Sequence, residues 1–172
     1  MARRTLDKDR IRAALFIDNQ NMFPFGYKEM HEAVSDYDVL VKRVYLSRKD
    51  ITWHQECNRD IVAALQNSGF EVILTGHLDN VDPYILVDAT EMVCDERKRI
   101  EAILLSSGDT DYLPLIFKAR ALGKRVVLIT KEGQEGVSSA LPDAVNEHIL
   151  LKNAYSCHSE KNSHQNNKRN HR

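Results

Sequence analysis

Cysteine is scarce in this chain: 172 residues hold three, Cys57, Cys94 and Cys157. So small and odd a number argues against a disulfide framework and for a reducing compartment. Net charge is equally scarce. Lys and Arg total 24 and Asp and Glu 25, so bulk charge does not mark a nucleic-acid binder, and any such site must come from local clustering. No apolar run approaches the roughly 18 residues that a membrane span needs. The opening MARRTLDKDR is charged and the apolar segment behind it is short, which does not read as a signal peptide. The expectation is a soluble cytoplasmic protein with no membrane partner. The length suits one domain with a sizeable core.

What is present alternates. IRAALFID (11–18) is a short apolar run ending in a carboxylate, and VLVKRVYLS (39–47) is rich in β-branched and aromatic residues. FEVILTG (70–76), EAILLSS (101–107) and RVVLIT (125–130) read the same way, as strands. Between them lie helical patterns at 27–34, 55–69, 82–99 and 111–123. Cys57, Ile61 and Leu65 share a stripe in the second of these, with Gly69 as terminator. Alternation with near-continuous apolar strands predicts an α/β fold: a mainly parallel central sheet with helices on both faces. The expected organisation is a charged arm (1–10), one domain (11–152) and a polar, basic tail (153–172) with too few large aliphatics to form a core.

The carboxylates fall in telling places. In an open parallel sheet, ligands bind beyond the carboxyl ends of the strands. Asp18 directly follows the first strand, Asp109 and Asp111 directly follow ILLSSG, and Asp82 opens a helix. At about 100° per residue, Ile85, Leu86, Ala89, Met92 and Val93 form one apolar stripe, with Asp82 projecting near its middle and Asp88 at its border. Asp82 is therefore expected to overhang the strand ends, and Asp88 is the weaker candidate. Clustered carboxylates raise one another's pKa, and a divalent cation removes that penalty. Oxygen-only ligation points to Mg²⁺ or Mn²⁺ rather than zinc, and such an ion serves phosphate chemistry. Gly108 is expected to permit the tight turn between strand and helix. Plainer roles stay open: Asp111 or Thr110 as a helix cap, Asp82 as a cap before Pro83, Asp18 as a turn residue, Asp88 as a solvated helix residue.

LFIDNQN (15–21), VDPYILVDA (81–89) and LLSSGDTDYLPLIFKARALGKRVVLI (104–129) resemble the NYN/LabA-like branch of the PIN-like ribonucleases. That family shows I-D-x-x-N, V-D-x-x-L-x-x-D and S-G-D-x-D-[FY]-x-P-L followed by G-K-x-V, and the resemblance covers roughly residues 11–150. It implies a three-layer α/β/α PIN-like sandwich and a metal-dependent endoribonuclease whose product keeps a 5′-phosphate. Carried over, the metal-centre and catalytic positions are Asp18, Asp82, Asp109 and Asp111, with Asp88 at the second helix aspartate. Asn21 matches the motif asparagine, which orients a carboxylate or a metal-bound water, or simply caps a turn. Thr110 and Ser107 hydrogen-bond around the centre. Two departures stand out: Asp79-Asn80 replace a Lys-Gly that often precedes V-D, and Asn146 stands where the family tends to have an aspartate. Because dimerisation is common among PIN-like domains, a homodimer joins RNA as an expected partner.

An RNA substrate needs cations near the acidic edge. Lys42, Arg43, Arg48 and Lys49 flank the second strand, with Trp53 and His54 after them; of these, Arg43, Arg48 and Lys49, with Thr110, are the expected substrate contacts. Trp53 suits base stacking or a core. Lys118, Arg120, Lys124 and Arg125 read better as a solvated face. Zinc at His54 and Cys57 lacks a paired C-x-x-C. A phosphoacceptor domain wants an acidic pair after its first strand, and Asp18 is followed by Asn19. The competing function is a degenerate PIN-like module that binds RNA without cutting it.

Overall fold

The computed structural model describes residues 10–22, 27–56, 60–76, 80–134 and 137–152, without the side chains of Tyr27, Trp53, His54 and Glu56. Residues 1–9 of the N-terminal arm, the tail, Cys57, Asp79 and the proposed roles of Trp53 and His54 lie outside that description.

Six strands carry the fold: β1 (Ile11–Asp18), β2 (Tyr37–Leu46), β3 (Glu71–Leu74), β4 (Ala102–Ser106), β5 (Arg125–Lys131) and β6 (Glu147–Leu151). They form one sheet in the order β3-β2-β1-β4-β5-β6, and every neighbouring pair is parallel. The chain runs outward from β1 through β2 to β3, then returns to the other side of β1 for β4, β5 and β6. The order therefore reverses between β1 and β4, and at that point loops diverge and leave a crevice.

Strand parity sorts the side chains onto two cores. Ala14 and Phe16 of β1, Ile103 and Leu105 of β4, and Val126 and Leu128 of β5 share one core. Helices α5 (Asp82–Cys94), α6 (Leu113–Ala121) and α7 (Ala140–Ala144) cover that face, through Ile85, Ala89, Ile116 and Leu141 among others. The alternate residues Leu15, Ile17, Leu104, Val127 and Ile129 face the other core. It is closed by α1 (Asn19–Met22), α2 (Tyr27–Ala33), α3 (Arg48–Glu56) and α4 (Ile61–Asn67). Asp18 has the parity of Ala14 and Phe16, so it leaves β1 on the α5–α6 side.

Within the helix expected over 55–69, residues 55–56 belong to α3, which begins earlier at Arg48, and residues 61–67 form α4. Asp60 restarts the chain as a cap, its carboxylate accepting the Ala63 N–H at 3.0 Å. α3 opens on a capping box: Ser47 N–H donates to Asp50 at 2.7 Å, and the Asp50 N–H donates back to the Ser47 hydroxyl at 3.3 Å. The helix expected over 82–99 ends at Cys94, followed by a 3-10 turn, Glu96–Lys98. No helix among the described residues is long and apolar enough to cross a membrane.

Candidate metal centre

Three segments deliver the site. After β4, Ser107 and Gly108 lead into a 3-10 turn, Thr110–Tyr112, that hands over to α6. Asp109 caps this turn: its carboxylate accepts the Asp111 N–H at 2.9 Å. Capping thus falls to Asp109 rather than to Asp111 or Thr110, and Asp111 and Thr110 are exposed. Asp82 is not a cap either. It is the first residue of α5, and its own N–H donates to the Asn80 side chain at 2.9 Å. Its carboxylate therefore stays available, and it is only 9% exposed.

Oxygens of Asp82, Asp109 and Asp111 lie within 4.8 Å of one another. Two oxygens on one small cation sit at most about 4 Å apart when each bond is near 2.1 Å. Closing the remaining gap is a side-chain adjustment. The donors are all carboxylate oxygens, and no ion pair among the described residues neutralises them. Such a set fits a hard divalent cation and not zinc.

Asp18 stands just behind, fully buried. It caps α1, accepting the Asn21 N–H at 3.2 Å, and takes a second bond from Asn21 Nδ2 at 2.6 Å. The Ser107 hydroxyl donates to it at 3.0 Å. Asn21 thus orients the first-strand carboxylate. The Tyr112 hydroxyl, also buried, lies 2.6 Å from Asp82 Oδ1 and 3.2 Å from Asp18 Oδ2. Burial and two neighbouring carboxylates push the Tyr112 pKa far up, so its proton stays in place.

Burial pushes the Asp18 carboxyl up from its ordinary range; bonds from Asn21 oppose this, and the charge of Asp82 adds to it. A carboxyl whose folded pKa exceeds its unfolded value, 3.8, stabilises the fold at low pH and loses that contribution as pH rises through the folded value. In EDTA, stability should therefore fall relative to an Asp18→Asn chain from about pH 4 upward. Thermal melts of both chains across that range check this; a gap independent of pH would contradict it.

Gly108 does not adopt a positive φ. Space, not backbone freedom, explains it: an added Cβ would meet Gln134 Nε2 at 2.6 Å and Val137 Cγ2 at 2.8 Å. The loop after β5 closes over this glycine, pinned by the Lys131 N–H bond to Gln134 Oε1 at 3.1 Å. Gly108→Ala should push that loop away at a cost of about 1–3 kcal/mol, read as a lower midpoint in urea. An unchanged midpoint would show that the loop yields freely.

The remaining candidates lie further off. Asp88 is half-buried and lies outside the acidic group: it accepts from the Tyr45 hydroxyl at 2.7 Å and Arg43 Nη1 at 3.1 Å. Arg43 sits within β2 rather than at its end and also binds Glu71 at 2.8 Å, so a phosphate would compete with two carboxylates for it. Lys42 lies mid-strand as well, with its ammonium 3.3 Å from His31 Nδ1. Arg48 and Lys49 open α3 at the carboxyl end of β2 and are exposed. Arg120 and Lys124 donate to the carbonyls of Ala144 and Ile100, and Arg125 to Glu147. Asn146 substitutes for backbone at the amino end of the sheet, accepting the Val126 N–H at 2.8 Å. By register Val126 lies beside Ile103, three residues (about 10 Å) before Ser106. Asn146 thus has a structural role at the end of the sheet opposite the acidic group.

A six-stranded parallel sheet with helices on both faces, and acidic side chains gathered where its order reverses, defines an α/β/α fold with a site suited to a cation. Residues 12–152 match the NYN domain, and the chain belongs to that family. It is 32% identical over 159 residues to an uncharacterized protein of Methanocaldococcus jannaschii, across 90% of this chain and 61% of that one. The chain thus spans about three-fifths of that relative's length. A crystal structure of a protein of unknown function from Vibrio parahaemolyticus superposes with a TM-score of 0.69 at 20% identity, over 86% of this chain and 97% of the other. That likeness extends to the fold.

Proposed function

We propose that this chain is a metal-dependent endoribonuclease. The observation that carries the reading is the approach of Asp82, Asp109 and Asp111 within 4.8 Å at the β1–β4 crevice. Asp82, Asp109 and Asp111 would hold Mg²⁺ or Mn²⁺, with Asp18 completing the acidic wall from behind. When bound, such an ion supplies activation of water and neutralises charge on a phosphodiester. The chain's own residues do the rest. Arg48 and Lys49, exposed at the mouth of β2, meet the RNA backbone electrostatically. Thr110, exposed between two of the aspartates, offers a hydroxyl to the phosphate or the ribose. Asn21 and Ser107 fix Asp18. The few cysteines suit the reducing cytoplasm.

The test is to incubate the protein with single-stranded and structured RNAs in Mn²⁺, Mg²⁺ or EDTA. The proposal expects internal cleavage with either ion and none in EDTA. Cleavage that survives EDTA would overturn the metal mechanism. Tight RNA binding without cleavage would favour the non-catalytic module.

A further inference from the structure

The 3-10 turn Thr110–Tyr112 does two things at once. It presents Asp109 and Asp111 outward and turns Tyr112 inward to full burial. The ring packs with Phe16, Ile85, Leu115 and Ile116 in the α5–α6 core, a task phenylalanine would perform as well. The hydroxyl needs a separate explanation. A buried tyrosine O–H requires a partner, and its two partners are carboxylates far apart in sequence, Asp82 at 2.6 Å and Asp18 at 3.2 Å. One proton cannot serve both fully. The shorter contact assigns it to Asp82 Oδ1, with Asp18 as the longer, secondary acceptor.

We infer that Tyr112 is a positioning residue for the metal centre: its hydroxyl clamps the first residue of α5 to the end of β1, fixing the Asp82 carboxylate against Asp109 and Asp111. This rests on the metal reading proposed above. The clamp fixes one Asp82 oxygen. It also links the turn that carries two acidic residues to the helix that carries the third. Ser107 and Asn21 hold the far side through Asp18. Such outer partners set ligand orientation, and their loss typically costs about 10–100-fold in metal affinity.

The test measures Mn²⁺ affinity by calorimetry or by the spin resonance of free Mn²⁺, with thermal melts in EDTA as a check on folding. Wild type is compared with Tyr112→Phe, Asp109→Asn, Asp82→Asn and the Tyr112→Phe/Asp82→Asn pair. Tyr112→Met removes the hydroxyl in a second shape, should the phenylalanine variant not melt cooperatively. Tyr112→Phe should bind Mn²⁺ at least about tenfold more weakly, yet cost little further once Asp82 is already asparagine. Wild-type affinity in Tyr112→Phe, beside lost binding in Asp109→Asn, would overturn the clamp and leave the metal centre standing. A loss undiminished in the Asp82→Asn background would assign the hydroxyl to packing and overturn the clamp as well. Unchanged binding in Asp109→Asn would remove the centre itself.

Discussion

Asp109→Asn should abolish metal-dependent RNA cleavage while leaving the fold intact. Asparagine keeps the oxygen that accepts the Asp111 N–H at 2.9 Å, so the cap of the 3-10 turn survives. What is lost is charge. Asp109 belongs to the acidic group, brought with Asp111 by one turn and joined by Asp82 from α5. A cation's electrostatic stabilisation of a transition state amounts to several kcal/mol. At about 1.4 kcal/mol per tenfold in rate, forfeiting most of it slows cleavage by about 10³ or more. The check is single-turnover cleavage of a labelled RNA at the Mn²⁺ concentration that saturates wild type, beside a thermal melt. Cleavage within tenfold of wild type would mean that the aspartate does not serve the chemistry.

Phe16→Ala should produce the largest loss of stability. Phe16 lies in the central strand, is fully buried, and stacks on Tyr45 with ring centroids 6.5 Å apart. It belongs to the core that seats α5 and α6, the helices that frame the acidic crevice. Truncating a buried phenylalanine costs about 3–5 kcal/mol, a large share of the roughly 5–15 kcal/mol that holds a domain. The melting temperature should fall by about 6–20 °C, and Mn²⁺ affinity should weaken alongside as α5 loosens. Differential scanning calorimetry in EDTA measures the first effect. A shift of only a few degrees would show that the core refills the space.

Much of this architecture is legible because burial on both sheet faces leaves continuous apolar runs. IRAALFID and EAILLSS could hardly be anything but central strands, and the polar residue ending each run marks the carboxyl edge. The stripe of Ile85, Ala89, Met92 and Val93 likewise fixed which way Asp82 points. α3 is less legible: RKDITWHQE is polar on average, and its signal is the Ser47–Asp50 capping box. The role of Tyr112 is not legible in the sequence for a different reason. In DTDYLPLI an aromatic reads as core, which its ring is; the role of its hydroxyl depends on three segments meeting. Arg43 and Asn146 mislead similarly, since sequence position does not reveal that Glu71 and Asp88 hold one and the Val126 backbone holds the other.

The most direct measurement is a crystal structure of the protein grown in Mn²⁺, with anomalous scattering to locate the ion. A manganese peak bonded, at about 2.1 Å, to oxygens of Asp82, Asp109 and Asp111 is the predicted result. A well-ordered crevice holding no such peak at saturating Mn²⁺, or a peak bound elsewhere on the chain, would contradict the account.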